Sequence, residues 1–122
     1  TALMRLTEGL AAELKDFGVR VFAIGPHAMR TEMTDFLLTD PGSRKYRPGF
    51  ESLFREHQDM EPEAVAAFIL RLASGEADAL SGRFFDPKIA LEEYLSQQEK
   101  ILQEDLWTLR IRRPGPQTGK AT

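Results

Sequence analysis

The chain has 122 residues, 42% hydrophobic and 29% charged, a balance that fits one globular domain and excludes wholesale disorder. A net charge of −3 lacks the basic excess that phosphate neutralisation needs, and no apolar run approaches the roughly 20 residues that span a bilayer, so neither nucleic acid nor a membrane is an expected partner. With no cysteine, and with His27 and His57 far apart and without ligand-spaced carboxylates, no disulfide and no metal site is expected.

Leu3, Leu6, Leu10, Leu14 and Phe17 recur at spacings of three and four, which predicts a helix over roughly 2–16 with one apolar stripe. Ala2, Thr7, Gly9, Ala11 and Ala12 lie between them and are small enough for another helix to approach. The helix starts at once, with no signal segment before it, so the expected location is cytoplasmic and the start of the chain looks cut. Gly18 stands where a left-handed helix cap is usual. Val19 to Gly25 is apolar at nearly every position, the pattern of a strand buried on both faces in a parallel sheet.

Pro26 to Thr31 reads as a loop and Glu32 to Leu38 as a short helix with Met33, Phe36 and Leu37 on its apolar side. Two Pro-Gly pairs between residues 40 and 49 predict an exposed, mobile loop. Helical spacing resumes at Phe50, Leu53, Phe54 and His57. Glu61-Pro62-Glu63 is a helix-start signal, and Val65, Phe68, Ile69 and Leu72 form the buried face of the helix it opens. Gly82 to Asp86 is a second strand candidate. Residues 88–106 read as one amphipathic helix, with Leu91, Tyr94, Leu95, Ile101 and Leu102 toward the core. Trp107 to Ile111 reads as a short terminal strand and Pro114-Gly115-Pro116 onward as a disordered tail; Arg110, Arg112 and Arg113 read as solvated, with phosphate contact the minority reading.

Helices alternating with apolar strands imply an α/β fold with a parallel sheet. Two covered strands alone leave exposed sheet edges, so further strands are expected from outside these residues. The composition agrees, with 15 Leu and 13 Ala against 3 Val and 5 Ile, a helix-favouring balance.

Thr1 to Leu14, Gly18-Val19-Arg20-Val21-Phe22-Ala23-Ile24-Gly25-Pro26 and Met29-Arg30-Thr31-Glu32-Met33 together resemble the C-terminal half of the short-chain dehydrogenase/reductase family. Pro26 and Thr31 keep the family's five-residue spacing after its Val-rich strand. Glu61 to Ala66 and Leu80-Ser81-Gly82-Arg83 look like its penultimate helix and final core strand. The likeness covers residues 1–86; residues 87–112 look like an extension carried by some members, with 113–122 the tail. The implied fold is the C-terminal part of a Rossmann-like, doubly wound parallel sheet with a helical lid and an extra C-terminal helix, making 1–112 a portion of one NAD(P)-binding domain.

The resemblance implies an oxidoreductase that moves hydride between NAD or NADP and an alcohol/carbonyl substrate, and a homo-oligomer when complete. It places Thr1 directly after the family's catalytic Lys, so the glycine-rich loop and the catalytic Ser, Tyr and Lys would precede this chain, which then holds no catalytic residue. Cofactor contacts are implied at Pro26, His27, Met29 and Thr31, with the Met29 backbone and the Thr31 hydroxyl on the nicotinamide carboxamide or a phosphate. His27 departs from the family, which has Gly there; a solvent-facing His is the plainer reading. Thr31 could equally N-cap the next helix. Met33, Phe36, Leu37, Phe50 and Phe54 resemble the substrate lid, though each also suits an ordinary core. The reading from another class is a non-catalytic interaction module that pairs through its first or its terminal helix.

Overall fold

The computed structural model describes residues 1–111. The predicted first helix is α1 (Ala2–Leu14), continued by a 3-10 turn at Lys15–Phe17. Gly18 closes it with φ 73° and an N–H on the Lys15 carbonyl, as the cap pattern requires. The apolar stripe, however, faces outward. Leu3, Leu6, Leu10 and Phe17 are all exposed, and the buried residues of α1 are Thr7 and Ala11. Small side chains take the packed face because the turn around Gly82 comes close: a Cβ there would lie 3.2 Å from the Ala11 Cβ. Ala2, Gly9 and Ala12 stay exposed.

Of the strand predicted over 19–25, only β1 (Ala23–Ile24) joins a ladder. Its partner is β2 (Phe84–Phe85), parallel, with Ala23 opposite Phe84 and Ile24 opposite Phe85. The order of elements and the parallel sense match the expected α/β architecture. Strand length does not, since β1 has one neighbouring strand among the described residues and a ladder cannot extend past its partner. Just before it, pairing passes to the turn: the Ser81 hydroxyl oxygen accepts from Val21 N–H at 3.0 Å and the Val21 carbonyl accepts from Gly82 N–H at 2.7 Å. Val19 is left exposed.

Between the strands run α2 (Glu32–Thr39), α3 (Pro41–Tyr46), α4 (Phe50–Arg55) and α5 (Pro62–Ala73). The expected loop over 40–49 is in fact α3 for much of its length. Asp40 caps it, its side chain accepting from Ser43 N–H at 2.7 Å, and Pro41 fits the first turn, where no N–H is needed. On α5, Val65, Phe68 and Leu72 are buried as predicted, whereas Ile69 is exposed.

The core gathers around Phe85, which is fully buried against Tyr94, Phe22 and Phe68 at ring-centroid distances of 4.8, 5.6 and 6.0 Å. The helix expected over 88–106 is two shorter ones, α6 (Leu91–Ser96) and α7 (Gln98–Gln103). They part at Gln97 (φ −105°, ψ 12°), a break that lets Leu91 and Tyr94 of one and Ile101 of the other all reach this core. Leu102 is exposed, contrary to its predicted place.

Residues 104–111 are not a strand. They form a strap from β2 to α1, in which the Trp107 carbonyl accepts Phe84 N–H at 3.0 Å. Asp105 pairs with Arg83 at 2.8 Å, and Arg110 pairs with Asp105 and with Glu8 of α1. Arg110 is therefore not a solvated tail residue; Arg112, Arg113 and the rest of 112–122 lie outside the described residues. No described helix is long and apolar enough to cross a membrane.

Candidate functional site

Both strands end at the same edge of the sheet. Beyond β1 come Gly25, Pro26 and His27, and beyond β2 comes Asp86. The carboxyl edge of an open parallel sheet is where α/β folds bind ligands. Gly25 is fixed there by its N–H on the Phe85 carbonyl at 3.0 Å. A Cβ there would sit 2.6 Å from the tip of the Phe84 ring, so a larger residue would require that ring to shift.

His27 holds a left-handed backbone, φ 59°, the conformation for which glycine would be the easy choice and which His tolerates better than bulkier residues. Its Nε2 lies 2.6 Å from Asp86 Oδ1. His27 is exposed, in keeping with the plainer expectation, but its ring is also tied to the residue after the second strand, with the side chain 33% exposed. Asp86 is held in turn. Its Oδ1 accepts Lys88 N–H at 2.9 Å, and its own N–H donates to the Tyr94 hydroxyl at 2.9 Å. Burial pushes the Asp86 carboxyl up, but the Lys88 N–H, the His27 hydrogen bond and the charges of His27 and Lys88 outweigh it and hold the group below the usual carboxylate range. The Tyr94 phenol is pushed up, chiefly by burial.

From His27 the loop runs to Thr31. The Ala28 carbonyl accepts Met60 N–H at 2.8 Å, tying the loop to the segment before α5. Thr34 Oγ1 donates to the Met29 and Thr31 carbonyls. Thr31 caps α2 in a reciprocal arrangement: its Oγ1 accepts from Thr34 N–H, and its N–H donates to Thr34 Oγ1 at 2.7 Å. The cap reading of Thr31 is realised; its Oγ1 also lies 3.4 Å from Thr34 Oγ1, where either hydroxyl can donate. Met29 N–H takes no partner among the described residues. Pro26 is exposed at the turn.

The five residues expected to form a lid fall on α2 and α4. Met33 and Phe36 are exposed, while Leu37, Phe50 and Phe54 are half-buried. Phe50 and Phe54 meet edge to face at 5.5 Å. A small cavity of about 140 Å³ lies between Leu37, Leu38, Pro48 and Phe50. The sequence reading placed Asp86 at the end of a strand and Tyr94 in the core but tied neither to the loop, because 59 residues separate His27 from Asp86 and only the pairing of parallel strands brings them together. The available signal was that each follows a strand of that pair.

Comparison with known proteins adds the class. The family model described as enoyl-(acyl carrier protein) reductase matches residues 1–85, most of the chain and nearly the extent of the resemblance read from the sequence. The chain belongs to the short-chain dehydrogenase/reductase family. It is 32% identical over 82 residues to dehydrogenase/reductase SDR family member 4 of Bos taurus, a match covering 67% of this chain and 28% of that relative.

Proposed function

We propose that residues 1–86 are the nicotinamide-side part of an NAD(P)-dependent oxidoreductase acting on an alcohol/carbonyl pair. The observation that carries this reading is the loop 26–31, which leaves the sheet at its carboxyl edge and holds both Met29, whose N–H has no backbone partner among the described residues, and Thr31, whose hydroxyl caps α2. Those two groups suit the carbonyl oxygen of a primary carboxamide, and His27 lies at the same turn. The nicotinamide, when bound, supplies or accepts hydride. This chain's own part is to bind and orient the ring from one side and, through Met33, Phe36, Leu37, Phe50 and Phe54, to roof an apolar substrate. The serine, tyrosine and lysine that would move the proton belong before Thr1, and the complete enzyme would be a homo-oligomer in the cytoplasm.

The test is titration of NADH and NADPH into the intact protein, with the coding sequence upstream of Thr1 read alongside. Saturable binding, with a glycine-rich loop and Tyr-x-x-x-Lys upstream, is the expected result. A start codon directly before Thr1 and no nucleotide binding would sink the proposal and favour an interaction module.

A further inference from the structure

The segment that carries α2, α3 and α4 leaves the sheet edge and returns to it, and both of its ends are bonded to the same turn. On the way out, His27 Nε2 meets Asp86 Oδ1 at 2.6 Å. The Asp86 carboxyl is held below the usual range and as a carboxylate only accepts, so Nε2 donates whether the ring is neutral or charged. On the way back, the Gln58 carbonyl accepts from Lys88 Nζ. Two further bonds join these contacts to each other. Met60 N–H donates to the Ala28 carbonyl at 2.8 Å, and Lys88 N–H donates to Asp86 Oδ1 at 2.9 Å. His27, Asp86, Lys88, Gln58, Met60 and Ala28 thus close a ring, linked in turn by hydrogen bonds and short stretches of backbone.

The ring is fixed to the core at one point, where the Asp86 N–H donates to the hydroxyl of the buried Tyr94 at 2.9 Å. Each end of the segment bends at a left-handed histidine, His27 with φ 59° and His57 with φ 52°. His57 closes α4, with Gln58 N–H on the Leu53 carbonyl at 2.8 Å, a helix-ending turn that redirects the chain toward Lys88. Closing a long loop costs entropy once. After one bond has brought the ends together, the next forms without that cost, so bonds at the two ends support each other.

We propose that the turn Asp86-Pro87-Lys88 is the common anchor of the segment 31–57 and couples its two ends, so that loosening one end frees the other. Asp86 and Lys88 are positioning residues. The coupling belongs to the chain without a ligand and does not depend on what the loop 26–31 binds.

Residue-resolved amide hydrogen exchange tests this on the intact protein and its Asp86→Ala, Asp86→Asn and Lys88→Met variants. The diagnostic amide is Met60 N–H at the returning end, which bonds Ala28 and not Asp86. Asp86→Ala is expected to speed its exchange about threefold to tenfold, the size of one hydrogen bond, while Ala23 and Phe84 N–H, bonded to Arg83 and Trp107, keep their wild-type rates. Asp86→Asn should return Met60 toward wild type, because its Oδ1 still accepts from Nε2 and from Lys88 N–H. Lys88→Met changes an exposed side chain and should also speed Met60, so it carries the test if Asp86→Ala does not fold. The double variant should fall short of the product of the two single effects, as coupled sites do. Unchanged exchange at Met60 in Asp86→Ala and Lys88→Met would mean that each end is held by its own local turn, and overturns the proposal. Equal acceleration at Ala23 and Phe84 would mean general loosening and overturns it too, as would independent effects in the double variant.

Discussion

The proposed function gives the Thr31 hydroxyl a second duty beside its cap. Replacing Thr31 with Ala removes the α2 cap, which costs about 1 kcal/mol of stability, and, on the proposed nicotinamide reading, also removes a donor to the ligand. Thr31→Ala is expected to weaken nicotinamide binding several-fold while Thr31→Ser does not; a stability loss with unchanged affinity would reduce Thr31 to a cap. Asp86 and Glu8 set the acid response. At Glu8 the Arg110 hydrogen bond lowers the carboxyl pKa, burial opposes it, and the Arg110 and Arg5 charges reinforce it. Both folded values lie below the unfolded ones, so their stabilisation is present above the ordinary carboxylate range and is lost as pH falls through the lowered values. Denaturant midpoints measured from neutral pH downward should therefore fall more steeply for wild type than for Asp86→Asn. Pro26, His27, Met29 and Thr31 were singled out in the sequence only through the resemblance of their loop to the family's. Asp86 was not, since its role exists only across a strand pair.

The helices were legible where their ends carried chemical signals, as at Gly18 for α1 and Glu61-Pro62 for α5. The apolar runs misled in two ways. Residues 19–25 carry the pattern of a strand buried on both faces, but a strand is only as long as its neighbour, and here that is Phe84–Phe85. Residues 88–106 are periodic enough for one helix, yet periodicity does not register a break of one residue at Gln97. The segment after the family match is built into the core all the same. Leu91, Tyr94 and Ile101 are buried, and Tyr94 bonds the backbone of Asp86. Truncation after Pro87 is expected to abolish cooperative folding, read by near-ultraviolet circular dichroism. Tyr94→Phe should cost about 1 kcal/mol by removing the partner of the half-buried Asp86 N–H; an unchanged denaturation midpoint would show that this amide finds another partner.

Leu3, Leu6 and Leu10 form an outward apolar row along α1, and Ile69 and Leu70 of α5 are exposed as well. Apolar rows of this kind on a folded surface drive association. Residues 1–122 alone are expected to self-associate, and Leu6→Glu should lower the apparent mass in sedimentation at little cost in stability. A monomeric wild-type chain with a sharp unfolding transition would contradict this. The α/β class and the family were readable from the sequence because they rest on element order and on a loop motif. Which face of α1 packs was not, because the stripe of large residues outweighs Thr7 and Ala11 in any reading of periodicity.

The strap gives the sheet a direction. With the Trp107 carbonyl already taking the Phe84 N–H and the indole stacked on the Phe84 ring at 6.5 Å, the outer flank of β2 is sealed by the chain itself. Growth of this sheet is one-way: any additional strand, from whatever source, must be laid down beside β1, and the molecule carries its own terminator on the other side.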